Sequence, residues 1–337
     1  MNPKAKSIIQ FIVLLGLGGF LVWLSLKSVS DKKEEIYRAF QQADYFWVIL
    51  SSVVALFAHF LRAYRWNYLL EPLGHKTTLI NANCAVMISY FANYGLPRMG
   101  ELTRCTVVSK YDDVPFEEAL GTVITERIVD MILLIVIFVL TLFAQFSQLI
   151  GLANKYIFDP LGAKLHNLSE NPVTTTILVI LIIGFFIALF LLRKRISHLL
   201  KGKFGNIILG FTKGITSIKN IKHKWSFIFL SIGIWAAYFY SLYLIFFAFE
   251  ETSHLGQSEC LTLMLFGTLG VIFTPGGLGV YHSLIKEILV FYGISEITGF
   301  SFPWLAWGSQ FILIVVLGLF SLILLPIINK SKANVVS

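Results

Sequence analysis

Residues 93–104 read NYGLPRMGELTR, and they place two glycines, a proline, two arginines and a glutamate inside an otherwise apolar segment. A second apolar segment is broken in the same way by TPGGLG at residues 274–279. The arms after these breaks are about 10 and 14 residues long, or roughly 15 and 21 Å as helix, whereas crossing a bilayer takes about 30 Å. Segments 77–111 and 257–292 are therefore predicted to be re-entrant helical hairpins.

The rest of the chain is typical of an integral membrane protein. Of its 337 residues, 56% are hydrophobic and only 14% are charged, whereas soluble domains carry roughly 25% charged residues. Apolar runs of about 20 residues each indicate a membrane span. The sequence thus predicts an all-α polytopic membrane protein with about six spanning helices, at 7–27, 45–69, 117–149, 172–193, 225–249 and 303–328.

Charge placement predicts the topology. The connector 193–224 is rich in lysine and arginine and contains no acidic residue, which indicates a cytoplasmic location. Lys4 and Lys6 likewise place the N-terminus inside, before a first helix without a cleavage site. The N-terminus and the connector can both be cytoplasmic only if segment 77–111 returns to the side of the membrane from which it entered. We therefore expect a bacterial inner (cytoplasmic) membrane protein with both termini in the cytoplasm, and the net charge of +8 does not indicate nucleic-acid binding.

The two broken segments occupy matching places in an internal repeat. Each lies between two predicted spanning helices, and Pro97 and Pro275 mark the two breaks. Because the first unit enters from outside and the second from inside, the repeat is inverted, which is typical of transporters with a site at the bilayer midplane. Two chance breaks in ordinary helices are the alternative. We interpret residues 1–337 as one membrane domain, composed of 1–44 (first helix and amphipathic linker), 45–149 (repeat unit one), 150–224 (connecting helix and basic connector) and 225–328 (repeat unit two).

The hairpin tips are candidate binding elements. Irregular backbone in a bilayer requires protein or water to satisfy it, which implies a cavity. Helix N-termini after the breaks favour an anionic group such as phosphate, and Arg98 and Arg104 add positive charge, while Glu101 can pair with either arginine. Gly276, Gly277 and Gly279 leave backbone N–H groups unobstructed.

A second group of candidates lies on the predicted spanning helices. In TERIVD, Glu126 and Asp130 share one helix face, and Arg127 can pair with Asp130; ionisable residues within a membrane by default suggest function. The alternative is that this end of the helix lies near the headgroups. Arg62 and Arg65 can either anchor the interface by reaching outward or contact substrate. The candidate substrate-binding residues are Asn93, Arg98, Glu101, Arg104, Glu126, Arg127, Asp130, Gly276, Gly277, Gly279, Arg62 and Arg65.

Three motifs in this order, NYGLPRMGELTR, TERIVD and TPGGLGVYH, resemble the transmembrane domain of bacterial lysylphosphatidylglycerol synthases/flippases and its stand-alone, flippase-like relatives. The resemblance spans roughly residues 8 to 328. It implies a multi-pass inner-membrane domain that moves phospholipids between leaflets. Full-length relatives carry a soluble aminoacyltransferase domain after the membrane part. Because this chain ends soon after helix 303–328, we expect no synthase activity, and the lipid remains open.

The leading hypothesis is translocation of an anionic or aminoacylated phospholipid, with its headgroup between the two tips. The alternative is a secondary transporter of a small anion or hydrophilic solute. A lipid-phosphate enzyme is disfavoured, since no nucleophile–base pair is evident and His59 and His282 lack a clear carboxylate partner. We expect no catalytic residues, no cofactor and no metal site. Bilayer lipid is the expected partner, nucleic acid is not, and homo-oligomerisation is left open.

Overall fold

A computed structural model describes residues 30–95, 99–159 and 221–330, together with positions 16, 19, 20, 22, 23, 26 and 27. Within these residues the regular structure is entirely helical, which confirms the predicted all-α class. The described α-helices are α1 (Lys33–Gln42), α2 (Tyr45–Leu70), α3 (Leu79–Gly95), α4 (Met99–Asp112), α5 (Phe116–Ala153), α6 (Lys224–Ile245), α7 (Gln257–Phe273), α8 (Val280–Phe291) and α9 (Glu296–Ile328).

The chain divides into two compact units. One contains Met1–Ala144 and Ile218–Ser337, and the other contains Gln145–Ser217. In the second unit, the described residues are the end of α5 and a π-helical turn at Asn154–Phe158. Gln145, with φ −133° and ψ 31°, interrupts the helical geometry of α5 where this unit begins. The site described below lies in the first unit.

Four described helices are long and apolar enough to cross a membrane: Tyr45–Leu73, Phe116–Ala153, Lys224–Ala248 and Glu296–Ile328. They match four of the six predicted spans. The predicted helix 172–193 lies outside the described residues, as does most of helix 7–27. Helix α9 begins at Glu296, earlier than the predicted start at 303, because the Ser295 hydroxyl accepts a hydrogen bond from the Thr298 N–H at 3.3 Å and caps the helix.

The two broken segments both form helical hairpins, α3 with α4 and α7 with α8. In the first hairpin, the Asn93 side chain accepts a hydrogen bond from the Gly100 N–H at 2.8 Å and ties the two arms together. A side chain at Gly100 would collide with the Ser89 carbonyl, so the close approach of the arms requires glycine. Each arm is 17 residues long or shorter. That is at most about 25 Å of helix, less than the bilayer core. These lengths suit re-entrant hairpins, whose position in the membrane remains a prediction.

Helix α2, which opens the first predicted repeat unit, packs antiparallel to α6, which opens the second. The Ser51 hydroxyl donates to the Ser241 carbonyl at 2.7 Å, and the Ser241 hydroxyl donates to the Ser51 carbonyl at 3.0 Å. Further along α2, Arg65 donates to Ser231, which lies earlier in α6. Opposite directions of the two opening helices are what an inverted repeat requires.

Candidate functional site

Two arginines of α2 and two acids of α5 form a buried ion-pair cluster. The Nη1 atom of Arg62 lies 2.5 Å from Oε1 of Glu126 and 2.8 Å from Oδ2 of Asp130. The Nη2 atom of Arg65 lies 3.1 Å from oxygens of the same two carboxylates. Glu126 and Asp130 meet both arginines because they lie one helical turn apart on one face of α5, as predicted.

Arg104 brings the first hairpin into the same cluster. Its Nη1 atom lies 3.0 Å from Oε2 of Glu126. Its guanidinium group stacks over the ring of Trp66, with 3.7 Å between Cζ and the ring centroid. Trp66 is itself fixed, since its indole N–H donates to the Thr122 hydroxyl at 2.8 Å. Arg104 is thus oriented by an aromatic ring on α2 and a carboxylate on α5.

Arg127 extends the network toward the surface. Its Nη2 atom lies 3.0 Å from Oε1 of Glu101 on α4, and its Nη1 atom lies 3.8 Å from Oδ2 of Asp130. The Arg127 side chain is 42% exposed, whereas that of Glu126 is 1% exposed. Arg127 is therefore the member of the network that can change partner at the smallest desolvation cost.

The buried part of the network carries a surplus of positive charge. Among the residues that the structure describes, Arg62, Arg65 and Arg104 face two buried acids, Glu126 and Asp130, which leaves one positive charge. The ion pair of Arg127 with Glu101 adds no net charge. Among the described residues, the Nε atoms of all three buried arginines and Nη2 of Arg104 have no hydrogen-bond partner. Buried charges are normally paired, so this arrangement favours an anion.

The cluster lies inside a predicted membrane span. At about 1.5 Å per residue, Arg62 and Arg65 are roughly 12 and 8 Å from the carboxyl end of α2. Both are buried, so the interpretation of these arginines as interface anchors that reach outward is wrong. Two carboxylates of α5 hold them inside the bundle instead, because an unpaired charge there would be costly.

A cavity of about 590 Å³ opens beside the network. Arg62, Arg127 and Asp130 form a charged part of its lining. Most of the remaining wall is apolar and comes from α6, α7 and α9, including Leu242, Ile245, Leu263, Met264, Val271 and Ile314. The helices of both predicted repeat units therefore enclose one amphipathic cavity.

The two hairpin tips touch each other. Gly276 has φ +60°, and a side chain there would lie 2.6 Å from the Tyr94 ring at the end of α3. The indole N–H of Trp307 donates to the Gly276 carbonyl at 2.7 Å. Gly277 and Gly279 also have positive φ, and the Gly277 N–H donates to the Thr274 carbonyl. That N–H is not free for a ligand, contrary to the expectation that the glycines expose it.

The two candidate histidines lie in different surroundings. His59 lines the cavity, where its Nδ1 atom is 3.4 Å from the Tyr238 hydroxyl. His282 is buried against Trp304 and Trp307, with ring centroids 4.0 and 5.2 Å away. In the part of the chain that the structure describes, no group of three or more His, Cys, Asp or Glu side chains is placed to hold a metal ion.

The predicted site residues separate into three groups. The cluster unites Arg62, Arg65, Arg104, Glu126 and Asp130, and Glu101 pairs with Arg127. Asn93 and the glycines shape the tips. Arg98, with Leu96 and Pro97, lies outside the described residues.

Sequence reasoning did not identify several residues that line the cavity. Tyr90, Trp235 and Gln310 come from α3, α6 and α9, and none of them belongs to a motif that the sequence analysis singled out. Arg127, by contrast, shares one face of α5 with Asp130, Met131 and Leu134, which all line the cavity. This helical spacing is a sequence signal that could have indicated part of the cavity wall.

Comparison with known proteins identifies the family of the chain. Residues 8–318 match the family model described as the lysylphosphatidylglycerol synthase TM region. An 87-residue segment is 29% identical to the UPF0104 membrane protein MJ1595 of Methanocaldococcus jannaschii, covering 25% of this chain and 26% of that protein. The chain thus aligns with about a quarter of this curated relative's length. No solved structure matches. Because the family model covers most of the chain, the protein belongs to the lysylphosphatidylglycerol synthase transmembrane-region family.

Proposed function

We propose that this protein moves phospholipids between the leaflets of a membrane. The observation that carries the proposal is the amphipathic cavity, which combines a charged part with an apolar wall inside a bundle of predicted membrane spans. A phospholipid has the same division into a charged headgroup and an apolar body. We propose transport rather than enzymatic activity.

In this proposal the headgroup phosphate binds at Arg62 and Arg127. Both line the cavity, and planar guanidinium groups suit phosphate oxygens. The surplus positive charge of the buried cluster favours an anion at this point. Arg127 can exchange Glu101 for a phosphate, since its side chain is partly exposed. Asp130 orients Arg62 and offers an acceptor to hydroxyl or ammonium groups of the headgroup.

The ion pairs join three helices, α2, α4 and α5, so partner exchange within them would accompany movement of the first hairpin. Glu126 contacts all three buried arginines and is the proposed centre of that switch. The basic connector 193–224 would attract anionic lipid on the cytoplasmic face. We place the protein in the bacterial inner membrane with both termini in the cytoplasm.

A leaflet-exchange assay tests this proposal. Fluorescent phosphatidylglycerol would be followed in liposomes that carry wild-type protein, Arg127→Gln or Arg38→Gln. Arg38 is a matched control, since its side chain is 70% exposed and pairs with Glu34 on α1, away from the cavity. We expect exchange by wild type, at least about tenfold slower exchange with Arg127→Gln, equivalent to about 1.4 kcal/mol, and an unchanged rate with Arg38→Gln.

The same liposomes distinguish the alternative of small-solute transport. Uptake of inorganic phosphate or another small anion without lipid exchange would replace lipid translocation by secondary transport. Equal exchange by wild type and Arg127→Gln would show that the headgroup does not bind where we place it.

A further inference from the structure

Three apolar residues that line the cavity also have strongly exposed side chains. Met131 on α5 is 55% exposed, and Val271 and Ile272 at the end of α7 are 46% and 61% exposed. A side chain that lines an internal cavity and is also exposed marks an opening. All three side chains are apolar, and the helix that carries Met131 is long and apolar enough to span a membrane.

The opening lies beside the charged part of the cavity. Met131 directly follows Asp130, and Arg127, Asp130, Met131 and Leu134 line the cavity together from one face of α5. Asp130 is 8% exposed, whereas Met131 is 55% exposed. A residue of the buried ion-pair network and an exposed apolar residue are therefore direct neighbours in the chain.

The other edge of the opening is formed near the second hairpin tip. Val271 and Ile272 are among the last residues of α7, directly before the turn Pro275–Gly277. Since α7 is 17 residues long, its end lies about 25 Å from its start along the axis. If this hairpin is re-entrant, as its arm lengths suggest, the opening is deep in the bilayer and faces acyl chains rather than water.

We infer that the gap between α5 and α7 is a lateral portal, edged by Met131, Val271 and Ile272, through which the acyl chains of a bound lipid remain in the bilayer while its headgroup occupies the cavity. This inference rests on the proposed function and adds the route. Apolar side chains at the edge suit acyl chains because neither needs to be hydrated, and the nearby arginines supply the contact for the phosphate.

Reversible obstruction of the portal tests the inference. Met131→Cys and Ile272→Cys would be purified, reconstituted and labelled with benzyl methanethiosulfonate, which adds a bulky group that dithiothreitol removes. The three native cysteines are buried, so the introduced thiol is the main target. Phe143→Cys on α5 and Ile312→Cys on α9 are matched controls, since both native side chains are more than 60% exposed and neither is among the cavity-lining residues.

We expect labelling at 131 or 272 to slow exchange of fluorescent phosphatidylglycerol at least fivefold, and reduction to restore it. Labelling at 143 or 312 should change the rate less than twofold. Because labelling follows folding and is reversible, a slow rate cannot be attributed to a misfolded variant. Unchanged exchange after complete labelling at both 131 and 272 overturns the portal and leaves the proposed function intact. Absence of exchange by the unlabelled wild type overturns the proposed function itself.

Discussion

The two helical hairpins have similar lengths and similar breaks, but different interactions hold them in the bundle. The first hairpin is tied to α5 by charge, through Arg104 to Glu126 and Glu101 to Arg127. The tip of the second is held by packing and by a hydrogen bond from Trp307 to the Gly276 carbonyl. In this comparison, the first hairpin contributes two charged residues, Glu101 and Arg104, to the ion-pair network, while α7 of the second supplies apolar wall.

The difference has a physical basis. Ion pairs depend on complementary groups and can exchange partners, so a hairpin held by them can respond to a charged ligand. A glycine turn pressed against an aromatic ring tolerates little change in shape. We therefore expect charge substitutions to damage the first hairpin most, and added volume to damage the second. Three predictions test this difference, from the largest expected effect to the smallest.

The largest effect is expected from Glu126→Gln. This carboxylate pairs with Arg62, Arg65 and Arg104, so its loss leaves three buried arginines with one buried acid. Removing one partner of a buried ion pair typically costs about 3–5 kcal/mol. Denaturant unfolding in detergent micelles, followed by circular dichroism, measures the change in the free energy of unfolding. Glu117→Gln in the exposed first turn of the same helix should change it by less than about 0.5 kcal/mol. Equal effects at 117 and 126 would contradict the central place of Glu126.

An intermediate effect is expected from Gly276→Ala. The added methyl group would lie 2.6 Å from the Tyr94 ring, and backbone strain with overpacking typically costs about 1–3 kcal/mol. Gly293→Ala is the matched control, because Gly293 has φ +86° but open space around it. The difference between the two variants in the same unfolding assay isolates the contact between the tips.

A second substitution sharpens this test. In a Tyr94→Ala background the ring is absent, so Gly276→Ala should cost no more than Gly293→Ala does. If the cost of Gly276→Ala is the same with and without the Tyr94 ring, the two tips do not constrain each other.

The smallest effect is expected from Asn93→Ala. It removes the acceptor for the Gly100 N–H within the first hairpin, and one such hydrogen bond contributes about 0.5–1.5 kcal/mol. Asn93→Asp retains an acceptor oxygen and should lose less. Asn83 on the same helix donates a solvent-exposed hydrogen bond to the Leu79 carbonyl one turn earlier in that helix, so Asn83→Ala should be milder still. A larger loss with Asn83→Ala than with Asn93→Ala would contradict the bracing role of Asn93.

Much of the fold could be predicted from the sequence because the bilayer restricts the length and the hydrophobicity of the helices that span it. Apolar length predicted α2, α5, α6 and α9, and the glycine and proline clusters predicted both hairpin breaks. The start of α9 was misplaced, since the cap by Ser295 is a single local hydrogen bond with a weak sequence signal. The spacing in TERIVD correctly predicted that Glu126 and Asp130 share a face.

The ion-pair partners of the charged side chains could not be predicted from the sequence. Arg62 and Arg65 lie at the end of an apolar helix, where outward anchoring and inward pairing have the same sequence pattern, and only the neighbouring α5 decides between them. Similarly, local spacing around Glu101 gave no indication that a guanidinium group on another helix, that of Arg127, pairs with it.

The sequence by itself determined that the chain is an all-helical membrane protein, where its long helices lie, and which segments break, because hydropathy and backbone stereochemistry act over short stretches of chain. The tertiary structure alone decided that charges from α2, α4 and α5 meet in one buried cluster, that Tyr94 touches Gly276, and that Met131 lines the cavity beside Asp130. These features depend on distances between residues far apart in the chain, and helix packing sets those distances.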